Sequence, residues 1–370
     1  MRTPLADGYV FPGEFGRQCG TWLTWPRPEG ISFPGRYHTV LGDLARIVHA
    51  IALRQDVHIN VLNDNWARAV RDVLVGCGVP AKLCAGRVFF HAIRSNECWC
   101  RDHGPAFVVK GVARGFAGAR AGVVDWGFNA WGGKYPPWGD DDAVPGVIAG
   151  RAGLRLWTSK VVMEGGSVEF NGRGTVLTTT QCLLNKNRNP GMTRAGIERV
   201  LREYYGQRHV LWLSEGIEGD DTDGHIDDLA RFLSPTKVVI GVESNRRDVN
   251  YAALRRALKK LQGMRDQDGE AFEVIEVPMP GVVRVAGERV PGTYMNFLFV
   301  DGACLVPVFG HANDARALKI LQSHLPGHEV VGIDCRGLIW GLGAIHCLSQ
   351  QVPRVPGLGA RLRAMALRVP

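Results

Sequence analysis

One thiol, one imidazole and several carboxylates recur at comparable places along this chain. Cys347 stands in GLGAIHCLSQQ, directly after a small-residue turn and at the start of an apolar run. His225 stands in GDDTDGHIDD with Asp227 two residues on, Asp102 in ECWCRDHGP, Glu164 in MEGGS and Asn296 in TYMNF. A thiolate is the strongest side-chain nucleophile near neutral pH. A histidine beside a carboxylate keeps its proton and can deliver it to a leaving amine. Carboxylates accept the N–H bonds of a planar cation in a forked geometry. Such a kit suits attack on a cationic, carbon-centred electrophile such as a guanidinium group. The thiolate adds to carbon, an amine leaves with a proton, and water resolves the thiouronium.

Each residue also has a plainer reading. A free cysteine is most often a buried core residue. Asp102 follows Arg101 and could simply pair with it, and Trp99 could be core rather than a wall over a planar cation. The acidic run around His225 could be a turn or a calcium loop, although its spacing does not match the EF-hand pattern. His346 adjoins Cys347, but neighbours on a strand face opposite sides, so His346 is not expected to serve the thiol directly. Gly165 and Gly166 allow close backbone approach. The run DWGFNAWGGKYPPWGDDD from Asp125 fails the phosphate-loop register and reads instead as a rigid aromatic pocket rim that includes Trp131.

The elements that must position these residues follow a repeating order of strand, strand, helix, strand. Short runs of Val, Ile, Leu and Phe between turn residues mark the strands, and apolar spacing with caps marks the helices. One unit runs through AFVVK, GVVDW, a helix near Ala143 to Ala152, and LRLWTSK. The next runs through GGSVEF, GTVLTTT, a helix from Thr193 to Tyr205, and HVLWL; the third through DLARFL, KVVIGV, a helix from Tyr251 to Leu261, and FEVIEV. The fourth runs through NFLFV, ACLVPV, a helix from Asp314 to His324, and EVVGID. A fifth is split between the chain ends: IHCLSQQ, then TWLTWP, a helix near Tyr37 to Arg54, and HINVLN, with an added helix near Trp66 to Val75 and a strand RVFFHAI.

First strands are expected near Ala106, Ser167, Asp228, Asn296 and Ile345. So regular a period suggests a closed array of stacked units, the alternative being an ordinary mixed α+β sheet. The ring is favoured because Asp102, Glu164, His225 and Cys347 all precede a first strand. Equivalent loops of a ring converge on its axis.

Composition bounds the rest. The chain has 370 residues, 45% hydrophobic and 22% charged, as expected of a soluble globular protein. No apolar run reaches membrane-spanning length, and the N-terminus lacks a basic-then-apolar signal pattern. Nine scattered cysteines without a C-x-x-C pair suggest neither a disulfide framework nor a zinc site, so a reducing cytoplasm is expected. The net charge of +8 comes mostly from dispersed arginines, without the basic run expected of a nucleic-acid binder.

Across nearly its whole length the chain resembles the agmatine deiminase family, which also holds the bacterial-type peptidylarginine deiminases. The matching segments include GTWLTWP from Gly20, WCRDHGP from Trp99, FNAWGGKYPPW from Phe128, EGGS from Glu164, CLLNKNRNP from Cys182, GDDTDGHIDD from Gly219, MNF from Met295, VPVFG from Val306 and IHCLSQQ from Ile345. The resemblance implies a five-bladed, pseudo-symmetric α/β propeller of ββαβ-type units, with residues 1–370 forming one catalytic domain. It implies Cys347 as nucleophile, His225 as general acid and base, Asp102 and Asp227 as holders of the guanidinium, Glu164 near the imidazole and Trp99 beside the substrate. Asn296 matches a substrate-proximal asparagine, and Asp221 lies in the matching acidic loop. No metal or organic cofactor is expected. The implied reaction is hydrolysis of a small guanidino substrate, agmatine by default. Amidino transfer, another guanidino metabolite, peptidylarginine and a non-catalytic guanidinium-binding protein are the alternatives. Homo-oligomerisation is left open. The chain departs from the family pattern at Glu97, His103 and Ala344, and at Leu342 within a run that is usually Gly-Gly-Gly-Asn.

Overall fold

The computed structural model describes residues 2–111 and 118–369. Among them, five sheets share one plan. The sheets run Ala106–Lys110, Arg120–Gly127, Arg155–Val162; Val168–Phe170, Thr175–Thr179, His209–Leu213; and Ala230–Ser234, Lys237–Val242, Glu273–Pro278. The fourth runs Leu298–Val300, Ala303–Val308, Glu329–Asp334, and the fifth Ser349–Pro353, Gln18–Thr24, Asp56–Val61 with Val88–Ala92 added at its edge. In each, the first pair is antiparallel and the second parallel, and a helix crosses between the parallel strands. The chain ends meet inside the fifth unit, where Trp22 pairs with Gln350.

The helices follow the expected caps and stripes. Thr193 Oγ1 accepts from the Gly196 amide at 3.2 Å and opens Arg194–Tyr205, which buries Ile197, Val200, Leu201 and Tyr205 and stops at Gly206 in the left-handed region. The helices Val144–Ala152, Asn250–Gln262, Asp314–His324 and Tyr37–Ala52 stand in the equivalent places.

Four runs, GGSVEF, DLARFL, NFLFV and IHCLSQQ, are not strands from their first residues: Gly165–Ser167 and Ile226–Asp228 are 3-10 turns, Ile345–Leu348 is a turn, and the strands begin only at Val168, Ala230, Leu298 and Ser349. A buried turn presents the same apolar run as a buried strand, so period alone does not separate them. The short helices Ala81–Arg87 and Leu358–Ala364 and the ribbon Arg284–Val285/Glu288–Arg289 were not anticipated.

Those turns close a ring on the axis. The Gly166 amide donates to Asp102 Oδ1 at 2.9 Å, linking the first unit to the second. The 165–167 turn packs against Ile226–Asp228 of the third. Asn296, before the fourth sheet, donates to Asp228 Oδ1 and to Cys347 Sγ, both at 3.0 Å. The Cys347 carbonyl accepts from the Arg101 amide at 3.0 Å, returning to the first unit. The mixed-sheet alternative falls, and the five entrance loops become one surface.

Candidate active site

Cys347 and Asp102 lie at the base of a cavity of about 710 Å³ walled by Trp99, Trp131, Tyr135 and Trp340. His225, Asp227, Glu164 and Asn296 sit just behind them, all essentially buried. Asp221 and Glu97 line the mouth.

The loops shape each group. Around His225, Asp220 accepts from the amides of Thr222, Gly224 and His225 at 2.7, 2.9 and 3.0 Å, which winds the acidic run into a tight turn. Asp223 binds Arg188 and Lys134, and the Tyr135 hydroxyl donates to Asp221. The carboxylates of Asp220, Asp221 and Asp223 are thus occupied by protein donors, which argues against a calcium loop. Asp102 does not pair with Arg101. Its Oδ2 accepts from Trp131 Nε1 and its Oδ1 from the Gly166 amide, each at 2.9 Å, while Arg101 turns away to Glu14 at 3.2 Å. Trp131 is held at φ 56°, a left-handed conformation costly for an aromatic residue, and from there its indole reaches Asp102.

Gly166 marks the point of convergence. A Cβ there would lie 2.5 Å from His225 Nδ1 and 3.0 Å from both Asp102 Oδ1 and Asp227 Oδ2. Only glycine lets a histidine and two carboxylates meet around one spot. His225 Nδ1 stays 3.8 Å from Asp102 Oδ1 and 3.9 Å from Asp227 Oδ1, beyond hydrogen-bond reach. Both His225 nitrogens, Asp227 Oδ1 and Glu164 Oε2 are buried without a protein partner. Buried polar atoms normally have one, so a cluster of exceptions marks a place prepared for a ligand.

Electrostatics agree. Burial pulls the His225 imidazolium down, but Asp102, Asp227, Glu164 and Asp220 together push its pKa above the usual value. Burial, with Asp227, Asp228 and Asp102, pushes the Cys347 thiol well above the usual thiol range. Burial raises Asp227, yet the hydrogen bond and charge of His346 carry it net below the usual carboxylate range. Asp102 is raised by burial and by Asp227 and Glu164, against the pull of His225. A thiol with a raised pKa stays protonated over a wider pH range, so alkylation of Cys347 by iodoacetamide should be slow at neutral pH. It should still be climbing, about tenfold per pH unit, at about pH 9. Peptide mass spectrometry at Cys347 reads this; a plateau near pH 7 would contradict it.

Two triads, Glu164–Cys182–His225 and Asp227–Asp228–Cys347, bring ligand-type atoms within 4.8 Å of one another. Both coincide with the candidate site, where a metal ion would occupy the imidazole or the thiol.

The sequence-predicted residues come together, with differences in part. Asn296 Nδ2 touches Cys347 Sγ, and its Oδ1 accepts from the Cys347 and His346 amides at 3.2 and 3.0 Å. Glu164 is bound by Arg188 Nε at 2.6 Å. Trp99 donates to Ser32 Oγ at 2.8 Å, and Ser32 in turn donates to Glu97. Cβ atoms on Gly341 and Gly343 would fall 2.7 and 2.5 Å from the Trp99 ring, so the glycines on either side of Leu342 let the loop before Cys347 lie on that ring. Leu342 itself takes φ 66°. Sequence reasoning gave no role to Arg188, although it stands in the CLLNKNRNP match, nor to Trp340 or Glu14, which lie in no recognised motif.

Comparison with known proteins places this geometry. Residues 10–353 match the family model of the Porphyromonas-type peptidyl-arginine deiminases. The chain belongs to this family. An agmatine deiminase of Pseudomonas aeruginosa (strain LESB58) is 36% identical over 95% of this chain and 97% of its own length. The agmatine deiminase of Enterococcus faecalis superposes with a TM-score of 0.86 at 31% identity, covering 96% of this chain and 98% of that one. A substrate-bound agmatine deiminase of C. jejuni gives 0.82 at 27% identity over 94% and 97%. Membership in the peptidyl-arginine deiminase family brings with it hydrolytic chemistry at the C–N bonds of a guanidino group.

Proposed function

We propose that this deiminase converts agmatine to N-carbamoylputrescine and ammonia, with the whole chain acting as one catalytic domain. The observation that carries the choice of substrate is the cavity lining. Among its described residues it has three carboxylates (Glu97, Asp102 and Asp221), four aromatic walls and no lysine or arginine. Lys134, at the rim, is engaged by Asp221 and Asp223. A guanidinium at the base and a cationic tail at the mouth both suit this lining, whereas a tail carboxylate would meet no cation.

Asp102 and Asp227 would hold the guanidinium above Cys347 Sγ, which lies 3.9 Å from Asp227 Oδ2. The arriving positive charge offsets the carboxylates that raise the thiol, so substrate itself favours the thiolate. The thiol proton passes to solvent as Sγ bonds to the guanidinium carbon. The C–N bond breaks, its electron pair takes the His225 proton, and ammonia leaves. Imidazole next removes a proton from water as the oxygen attacks the thiouronium carbon. The C–S bond breaks, and the hydroxyl proton of the intermediate passes to the departing thiolate, so the ureido product forms and the thiol is restored. All nine cysteines are free thiols, seven of them buried, which supports a reducing, cytoplasmic setting.

A panel of agmatine, free arginine, arginyl peptides and other guanidino compounds tests the assignment by ammonia release and ureido product. Agmatine or another guanidino compound without a carboxylate near its tail should show the highest kcat/KM. A higher value for free arginine than for every decarboxylated analogue would overturn it. An added primary amine should leave the ureido yield unchanged; capture of the amidino group by the amine would indicate a transferase.

A further inference from the structure

A residue outside all five sheets reaches the centre of the ring. The segment before Gln18–Thr24 crosses the propeller, with Val10 bridging Val109 and Phe11 donating to the Tyr205 carbonyl, and it delivers Glu14 to the axis. Glu14 is buried. Its Oε2 contacts His346 Nε2 at 2.7 Å, Arg231 Nη2 at 3.1 Å and Arg101 Nη2 at 3.2 Å, and its Oε1 accepts from the Phe299 amide at 3.0 Å. His346 Nδ1 lies 2.7 Å from Asp227 Oδ2.

His346 therefore stands between two carboxylates, one on each ring nitrogen. Burial raises the Glu14 carboxyl, but His346, Arg231 and Arg101 carry it net far below the usual carboxylate range, and Asp227 is also net lowered. Each ring nitrogen lies 2.7 Å from a carboxylate oxygen, and two ionised acceptors so placed match a ring that donates from both nitrogens, the hydrogen-bond pattern of an imidazolium. Charge balance agrees. Arg231 Nε also binds Glu169 Oε2 at 2.9 Å, and Glu169 Oε1 accepts from the Phe232 amide, the pattern of an ionised group, although burial pushes its pKa up against the pull of Arg231. Among the groups that contact one another within 3.2 Å, Glu14, Glu169 and Asp227 face the guanidiniums of Arg101 and Arg231, leaving one negative charge that a cationic His346 balances, while His225 stays 3.9 Å from Asp227 Oδ1. An isolated buried charge is costly, and a neutral hub is not.

We propose that Glu14 and His346 are positioning residues for the substrate-binding carboxylate: Glu14 holds His346 as an imidazolium, and His346 occupies Asp227 Oδ2 so that Oδ1 is presented to the substrate cation. The unpaired Oδ1 is the atom this arrangement leaves free. The adjacency of His346 to Cys347 thus matters although His346 does not face the sulfur. One turn sends the thiol to the cavity and the imidazole to the hub behind it, and Asn296 Oδ1 receives both amides. The inference rests on the assignment of Asp227 to the guanidinium.

Isotope-labelled histidine NMR of the whole protein, assigned with His346→Gln, tests the charge state. At neutral pH both nitrogens of His346 should carry a proton in the wild type, and in Glu14→Gln, where one facing carboxylate is gone, one nitrogen should be bare. In kinetics, His346→Gln should raise KM for the best guanidino substrate by about 30-fold, with kcat changed by about threefold or less. A merely structural role would lower the fraction of active molecules and leave KM alone. A neutral ring in the wild type, or an unchanged KM in His346→Gln, overturns the proposal, and these two readouts decide it even if Glu14→Gln does not fold. If no guanidino compound were turned over, the functional reading would fail and take the Asp227 step with it, while the spectra would still decide the Glu14–His346 step.

Discussion

Replacing Cys347 with alanine should abolish turnover, lowering kcat by about four orders of magnitude or more, while the protein folds and still binds its substrate. The side chain is small and buried but lines the cavity base, so removing its sulfur enlarges an existing cavity rather than opening a sealed void. Its loss also orphans no partner. Asn296 Nδ2, which donates to the sulfur at 3.0 Å, donates equally to Asp228 Oδ1 at 3.0 Å and can keep that bond. The backbone of the turn is held independently by the bonds from the Cys347 and His346 amides to Asn296 Oδ1 and from Arg101 to the Cys347 carbonyl. The carboxylates and His225 stay in place, so calorimetry should show near-normal affinity for agmatine alongside absent ammonia release. Substantial ureido formation by the purified variant would remove Cys347 from the nucleophile's role.

Much of this arrangement could be read from the chain, and what could not has physical reasons. The helices from Arg194, Asn250 and Asp314 carry strong apolar stripes, and their placement agrees with expectation to within a residue or so at the start. The ring order follows because each unit repeats the same alternation of buried strands and a half-buried helix. The entrance turns read as strand, since Ile345 to Leu348 is buried throughout, with Ile345 and Leu348 apolar, whatever its backbone does. The site's convergence was legible only as position before a first strand; that Gly166 is its meeting point depends on which atoms face the missing Cβ. Trp131 was expected at the rim and instead also anchors Asp102, because its left-handed backbone cannot be foreseen from a tryptophan. Glu14 gave no signal at all. A buried charge is recognised by its partners, and those lie on four other segments, at Arg101, Arg231, Phe299 and His346.

Asp102→Asn should produce two opposite changes that no simple loss of folding would give. Asp102 is an acceptor at both oxygens, from Trp131 Nε1 and from the Gly166 amide. An asparagine offers one acceptor and one donor there, so its amide NH₂ must face one of these N–H groups. The charge that supports the His225 imidazolium is also lost, and so is one acceptor proposed for the guanidinium. Removing one partner from a buried charge pair costs about 2–5 kcal/mol, so kcat/KM should fall by about 30-fold to several thousand-fold. The thiol should respond in the reverse sense. Asp102 is one of the carboxylates that raise Cys347, so without its charge the thiol pKa falls and alkylation of free enzyme at a fixed neutral pH speeds up. The acid limb of alkylation should move to lower pH, while His225, having lost its largest supporting charge, should deprotonate at lower pH than in the wild type. Slower turnover with a more reactive thiol would place Asp102 at the substrate cation. Near-normal catalysis would return it to the role of an anchor for Trp131 and Gly166, and equal losses of catalysis and thiol reactivity would indicate a collapsed site.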